Sequence, residues 1–251
     1  KNRNMIMTAL PFIEELIKFT KGSDFFAFLT DNEGCILSAL GDEKILSEAF
    51  TLKMVPGAYM NEESVGTNAM SYVIKTGSPV QLTGEDHYID AYKRWTCSAA
   101  PVKDSQGNII GVIDLTGYTK NVHPHTLGIV VAIAKAIEEI IKSKVQNEYN
   151  VIKNFINIIN EGIIFTDEQG NIKMYNDLAA EMFGNDNILK EDNINQLISD
   201  WLQIKSMLDI NKNIIKNVNI DSLKDSFLCS LEVKKIYCEQ DDCSEIVHML
   251  K

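Results

Sequence analysis

Glu63-Ser-Val-Gly-Thr-Asn-Ala69 and Trp95-Thr-Cys-Ser-Ala-Ala-Pro101 are the two runs on which the reading of this chain turns. Between them stands Thr76-Gly-Ser-Pro-Val-Gln81, and after them come Gly111-Val-Ile-Asp-Leu-Thr-Gly117 and His123-Pro-His-Thr126. Ser64 to Asn68 supplies polar capping groups and one flexible glycine ahead of Ala69–Lys75, which reads as a helix. A helix entrance of that kind exposes N–H groups able to hold an anionic or carbonyl ligand. Gly77 stands where a C-terminal cap is expected, and Pro79 keeps the helix from resuming. Cys97–Val102 and Ile109–Leu115 flank the turn Asp104-Ser-Gln-Gly-Asn108 and read as a β-hairpin. Small side chains behind the bulky Trp95 leave room for a cavity.

Several residues here have a chemical reading and a plainer one. His87-Tyr-Ile-Asp-Ala-Tyr-Lys-Arg94 mixes an imidazole, two aromatic rings and two cations, which suits a small polar ligand; a surface helix is the alternative. Trp95 reads as a core anchor or a ligand stack. Asp114, inside an otherwise apolar strand, must find partners or lose its charge, so it is a pocket group or a satisfied structural acid. Cys97 reads as a small buried hydrophobe, with a reactive thiol as the rival. His123-Pro-His125 reads as a helix start with Pro near the first position, since no Cys or acidic cluster completes a metal set around the two histidines.

The five runs, in this order and spacing, resemble the sensory GAF domain of the bacterial sigma-54-dependent activators, closest to the group regulating acetoin and dihydroxyacetone metabolism. The resemblance covers roughly residues 8 to 142, and the rest of the chain resembles, more loosely, the PAS domain that comes after GAF in those regulators. It implies an α+β chain: a GAF domain at 1–143, a linking helix at 144–160 and a PAS domain at 161–251. Each domain is expected to be an antiparallel sheet flanked by helices. Helix, hairpin, helical segments, hairpin, helix is the expected order of the first. One face of its sheet is expected to bury against the terminal helices, with the ligand cavity on the other. Thr67, Asn68, His87, Trp95, Cys97, Ser98 and Asp114 are expected to border that cavity. The expected occupant is a small-molecule effector; the alternatives are an interaction surface for a metabolic enzyme subunit and a GAF-type thiol redox enzyme.

Composition bounds the reading. The 251 residues suffice for two ordinary domains, and 45% hydrophobic with 24% charged residues is a globular balance. A formal charge of −11 argues against nucleic-acid binding by this segment, because phosphate recognition needs clustered cations. The acidity concentrates late: 14 basic face 17 acidic residues up to position 145, and 10 face 18 after it. No run approaches a membrane span, no secretory leader is evident, and five irregularly placed cysteines make no disulfide framework, so the cytoplasm is the expected compartment. A first residue of Lys suggests a fragment. The family's AAA+ ATPase and helix-turn-helix have no counterpart here, so contact with DNA and sigma-54 polymerase is expected only through missing C-terminal parts. No phosphate-cradling loop or hydrolase elbow is present, and no catalytic residue, cofactor or metal is expected.

Periodicity gives the remaining elements. Leu10, Ile13, Leu16, Ile17 and Phe19 recur at helical spacing, and Phe25–Thr30 and Cys35–Leu40 flank a turn at Asp31-Asn-Glu-Gly34. Thr126 to about Asn160 predicts one long helix or two in near-continuous register. Its stripe Val130, Ala134, Ile137, Ile141, Val145, Ile152, Phe155 and Ile159 packs on its own domain or on the same helix of a second chain, giving a homodimer. Glu161–Asn176 reads as strand, turn, strand; Asn176 caps a short helix closed by Gly184. Further helices near Ile194–Ser199 and Trp201–Leu208 precede strands at Ile214–Ile220, Phe227–Tyr237 and Ser244–Leu250. Cys238 and Cys243 hold metal only with ligands that the sequence does not supply.

Overall fold

A computed structural model describes residues 2–184, 193–198, 200–208, 213–221, 226–237 and 244–251. Its contacts divide the chain into two compact units, Lys1–Val145 and Gln146–Lys251.

In the first unit, helix α1 (Arg3–Phe19) precedes the hairpin β1 (Phe25–Asp31) and β2 (Ile36–Gly41). Helices α2 (Glu43–Thr51), α3 (Glu62–Val65) and α4 (Ala69–Thr76) come next, then β3 (Val80–Thr83), β4 (Trp95–Lys103) and β5 (Ile109–Tyr118). Helix α5 (Pro124–Asn157) starts in this unit and ends in the next. The strands form one antiparallel sheet in the order β2-β1-β5-β4-β3.

Both faces of this sheet are covered, so its central strands are buried on both sides. On one face Ala27, Leu29, Ala100, Val102, Ile113 and Leu115 meet Ala9 and Ile13 of α1 and Val130, Ala134 and Ile137 of α5. On the other, Phe26, Phe28, Trp95, Ala99 and Val112 meet Ile45 of α2 and Met70 and Val73 of α4. Burying each large side chain contributes roughly 1.5–3 kcal/mol, which makes these two layers the main stabilising force.

Two glycines matter for position. Gly77 closes α4 in the left-handed region at φ 68°, its N–H bonded to the Val73 carbonyl. Gly66, at φ 66°, lies against the Tyr88 ring, where a Cβ would come within 2.5 Å of a ring carbon. Any side chain there would push Tyr88 off the loop that comes after β3.

The second unit repeats the strand order. It contains β6 (Gly162–Thr166), β7 (Ile172–Tyr175), α6 (Asp177–Phe183), α7 (Ile194–Leu197), α8 (Trp201–Leu208), β8 (Asn213–Asp221), β9 (Ser226–Tyr237) and β10 (Ser244–Leu250). The sheet runs β7-β6-β10-β9-β8, again antiparallel throughout. Trp201, Phe183, Ile204 and Leu208 pack on the inner face with Ile164, Leu231 and Ile246. The α+β expectation of two antiparallel sheets flanked by helices is met, and each sheet has five strands.

Helix α5 carries its apolar stripe unevenly. Val130, Ala134, Ile137 and Ile141 are buried in the first core and Ile156 in a small cluster of the second. Between them Val145, Tyr149, Ile152 and Phe155 are exposed.

Candidate functional site

The register of the central strands sorts the expected site residues by face. Cys97 pairs with Thr116, Ala99 with Asp114, and Phe28 with Asp114 from the other side. Successive side chains point to opposite faces, so Trp95, Cys97, Asp114 and Thr116 share the face covered by α2 and α4. Ser98 does not. It lies on the opposite face, where its hydroxyl accepts a hydrogen bond from Gln81 Nε2 at 2.8 Å, and Gln81 also reaches the His123 carbonyl at the start of α5. The expectation that Ser98 borders the same cavity as Asp114 is corrected by strand alternation.

His87 is not on a surface helix. The segment folds into two short 3-10 turns, Gly84–Asp86 and Asp90–Tyr92, and buries the imidazole. Its Nδ1 lies 3.1 Å from the Gly84 carbonyl, which accepts only, so Nδ1 carries the proton and Nε2 presents a bare lone pair. From there a chain of rings runs onto the sheet. His87 meets Tyr92 edge-on at 6.5 Å, Tyr92 stacks on Trp95 at 6.1 Å, and Trp95 meets Phe26 edge-on at 5.4 Å.

Three buried polar atoms in this layer have no partner: His87 Nε2, Trp95 Nε1 and Asp114 Oδ1. The other carboxylate oxygen of Asp114 accepts from Thr116 Oγ1, which also lies 3.0 Å from Cys97 Sγ. Burial pushes the Asp114 carboxyl up to about 7, opposed only by the Thr116 hydrogen bond, and burial holds the His87 imidazole below its usual value. This layer therefore presents one acceptor, one donor and a carboxyl that holds its proton far above the ordinary carboxylate range. Cys97 is buried, its thiol raised well above the ordinary value by burial and then by Asp114. A nucleophile needs the reverse, an accessible and depressed thiol, so Cys97 lacks the setting that the thiol-enzyme alternative requires.

Asn68 serves the backbone, and Thr67 serves a neighbouring carboxylate. The Asn68 carbonyl accepts from the N–H groups of Met70 and Ser71, and its amide donates to the Met60 and Gly66 carbonyls. Those N–H groups were the expected ligand holders at the entrance of α4, and the chain itself occupies them. Thr67 donates to Glu62 Oε1. The residues missed from sequence are Thr116 and Tyr92. Thr116 stands two positions beyond Asp114 on the same strand, so the period-two rule alone places it beside the carboxyl.

In the second unit, Asn176 repeats the Asn68 pattern: its side chain accepts from Ala179 and Ile163 N–H and donates to the Ile156 and Glu161 carbonyls. His248 is wholly buried, with Nε2 against Thr166 Oγ1 at 3.1 Å and its ring 4.9 Å from Trp201. The His123 and His125 rings stack at 4.5 Å at the start of α5. Among the described residues no cluster of His, Cys, Asp and Glu could hold a metal ion; Cys238 and Cys243 lie outside them. On the surface of the first unit, a groove of about 660 Å³ between α1 and α5 is lined by Pro11, Phe12, Leu16, Phe19, Ile129 and Ile133.

Comparison with known proteins gives a consistent answer. The profile of the family described as GAF domain matches residues 5–141. The chain is 36% identical over its whole length to a signal-transduction and transcriptional-control protein of Clostridium beijerinckii, covering 40% of that protein. It is also 36% identical over 62% of its length to the acetoin dehydrogenase operon transcriptional activator AcoR of Bacillus subtilis, covering 26% of that protein. The chain thus spans well under half the length of these relatives. Among solved structures, the crystal structure of the E. coli DhaR(N)-DhaL complex is similar at a TM-score of 0.60 and 23% identity, over 99% of this chain and 86% of that one, a likeness of fold.

Proposed function

The chain belongs to the GAF domain family, and from that premise we propose that it is the signal-sensing region of a bacterial sigma-54-dependent transcriptional activator. The layer around Asp114 receives a small, uncharged polar effector, with Thr67 and Asn68 shaping its rim. The observation that carries this reading is the set of three buried, unpartnered polar atoms on His87, Trp95 and Asp114. Unpaired buried polar groups cost roughly 1–3 kcal/mol each, and a ligand offering a donor to His87, an acceptor to Trp95 and either to Asp114 relieves that cost.

The second unit is a PAS domain that relays the signal or dimerises; its strand order, the same as the first unit's, supports this. Dimerisation runs through α5. Val145, Tyr149 and Ile152 are exposed at spacings of four and three, the seam of a two-stranded coiled coil. The fragment itself is not an enzyme. An AAA+ ATPase and the contacts to DNA and sigma-54 polymerase belong to C-terminal parts of the longer protein, which works in the cytoplasm. No helix among the described residues is long and apolar enough to cross a membrane.

A thermal-shift screen of the chain against small diols, hydroxyketones, short-chain acids and cyclic nucleotides tests the sensor. A ligand at 100 times its dissociation constant stabilises the native state by about 2.7 kcal/mol. A hit lost in Asp114→Asn but kept in Ser98→Ala, on the opposite face, supports the reading. Silence across the screen counts against it and favours a second one, in which a metabolic enzyme subunit is the signal. The apolar groove between α1 and α5, where Phe19 is 87% exposed, supports that alternative, as does the complex that the similar E. coli structure describes.

A further inference from the structure

A second depression, on the surface of the first unit, has the opposite character to the groove. It measures about 480 Å³ and is lined by Lys44, Lys93, Arg94 and Lys120, with Asp24 the only carboxylate in its wall and Tyr118 also lining it. Four of the fourteen cations of this acidic unit's sequence therefore converge on one place. They come from the first turn of α2, the segment before β4 and the segment after β5, brought together only by the fold.

Apart from Asp24, the nearby carboxylates are already committed. Glu48 accepts from the Tyr118 phenol and from Arg94 Nη1 at 3.3 Å. Glu85 and Asp90 hold Lys93 at 2.6 and 2.9 Å. Lys44 stands 5.6 Å above the Tyr118 ring, and neither it nor Lys120 forms an ion pair among the described residues. Two free ammonium groups and a guanidinium with one fork contact left over face the same hollow. With Asp24 opposite them and Arg94 shared with Glu48, a compact anion with two charges engages more of these cations than a single carboxylate does.

We propose that this depression binds a small phosphate monoester, with Lys44, Lys120 and Arg94 as its ligands. The site lies apart from the Asp114 layer and does not depend on that layer binding anything. Arg94 links the two, since its guanidinium lies 5.8 Å from the Trp95 ring centroid. An anion that draws Arg94 off Glu48 therefore moves the cation that covers Trp95.

Calorimetric titration of the whole chain with inorganic phosphate and glucose 6-phosphate, at constant ionic strength set with chloride, tests the proposal. Saturable binding is expected, weakened by about tenfold or more in Lys44→Gln/Lys120→Gln and unchanged in Lys75→Gln/Lys142→Gln, whose cations lie elsewhere. The exchanged lysines form no ion pair among the described residues, so the variants keep the fold, which circular dichroism checks. Quenching or enhancement of Trp95 emission on titration, in a Trp201→Phe background, reports the Arg94 link. No saturable binding up to about 10 mM, or equal weakening in the two double variants, overturns the site.

Discussion

Thr116 donates its hydroxyl hydrogen to Oδ2 of Asp114 at 2.6 Å, while Oδ1 of the same carboxyl has no partner. Half of a buried carboxyl is thus satisfied by the chain and half is not. That asymmetry has consequences for stability as well as for binding.

The first concerns pH. Burial raises Asp114 to about 7 in the folded chain, against about 3.9 when unfolded. The folded state therefore holds a proton that the unfolded state has already lost, and stability falls as pH rises from about 4 to about 7. At roughly 1.4 kcal/mol per pH unit, the loss reaches about 4 kcal/mol at most. Asp114→Asn is expected to abolish this slope and to be more stable than the parent at pH 8. His87 works in the opposite sense below about pH 6.5, and the raised Cys97 and Tyr92 stay neutral in this window. The difference between parent and variant isolates Asp114. Urea denaturation at pH 5 and pH 8 in a Trp201→Phe background, where Trp95 alone reports, measures it. Parallel slopes would show that the carboxyl does not titrate there.

The two capping asparagines are expected to be costly to remove. Asn68 and Asn176 each make four side-chain hydrogen bonds to backbone, and both are buried. Replacing either by Ala loses a helix cap worth about 1 kcal/mol and strands one buried and one partly buried carbonyl, a total of about 2–4 kcal/mol. Asn68→Ala should lower the transition reported by Trp95, and Asn176→Ala the one reported by Trp201. A loss below about 1 kcal/mol in both would mean that the cap alone matters.

Cysteine labelling should separate Cys35 from Cys97. Cys35 is partly exposed, whereas Cys97 is buried, with its thiol held well above the ordinary range. Iodoacetamide on the native chain, read by peptide mass spectrometry, is expected to alkylate Cys35 first and Cys97 only on unfolding. Rapid native labelling of Cys97 would revive the thiol chemistry that its burial excludes.

In the second unit, His248 sets an acid limit. Burial pushes its imidazole down to about 3, against about 6.5 unfolded. Its contribution is fully present above about pH 6.5 and is lost as pH falls toward 3, amounting to about 3 kcal/mol at pH 4.5. His248→Gln, which keeps a polar partner for Thr166, is expected to flatten that acid loss. A Trp95→Phe background lets Trp201 report it. An unchanged acid profile would place the titrating group elsewhere.

Much of this fold was legible in local sequence. The Gly-Asn turn between β4 and β5, Gly77 after α4, and Asn176 before α6 act through contacts a few residues away, so neighbouring residues suffice to identify them. The stripe from Val130 to Ile141 likewise marked a buried helix face, because period alone decides which side of a helix is apolar.

The site was legible only in part. The polarity of the resembling runs grouped Trp95, Cys97, Ser98 and Asp114; alternation along β4 should have separated Ser98 from Trp95 and Cys97, as it does in the structure, and the β4–β5 register put Asp114 on the side of Cys97. What alternation could not reveal was that the loop at residues 84–94 folds inward and buries His87, or that the Asn68 side-chain oxygen is taken up by the helix it caps. The convergence of Lys44, Arg94 and Lys120 was equally invisible, since they sit on three separate segments. The sequence by itself determined the elements and which side of each is apolar, because those depend on nearest neighbours. Only the tertiary structure decided which polar atoms end up unpaired inside and which cations share a hollow. Both depend on packing between residues far apart in the chain.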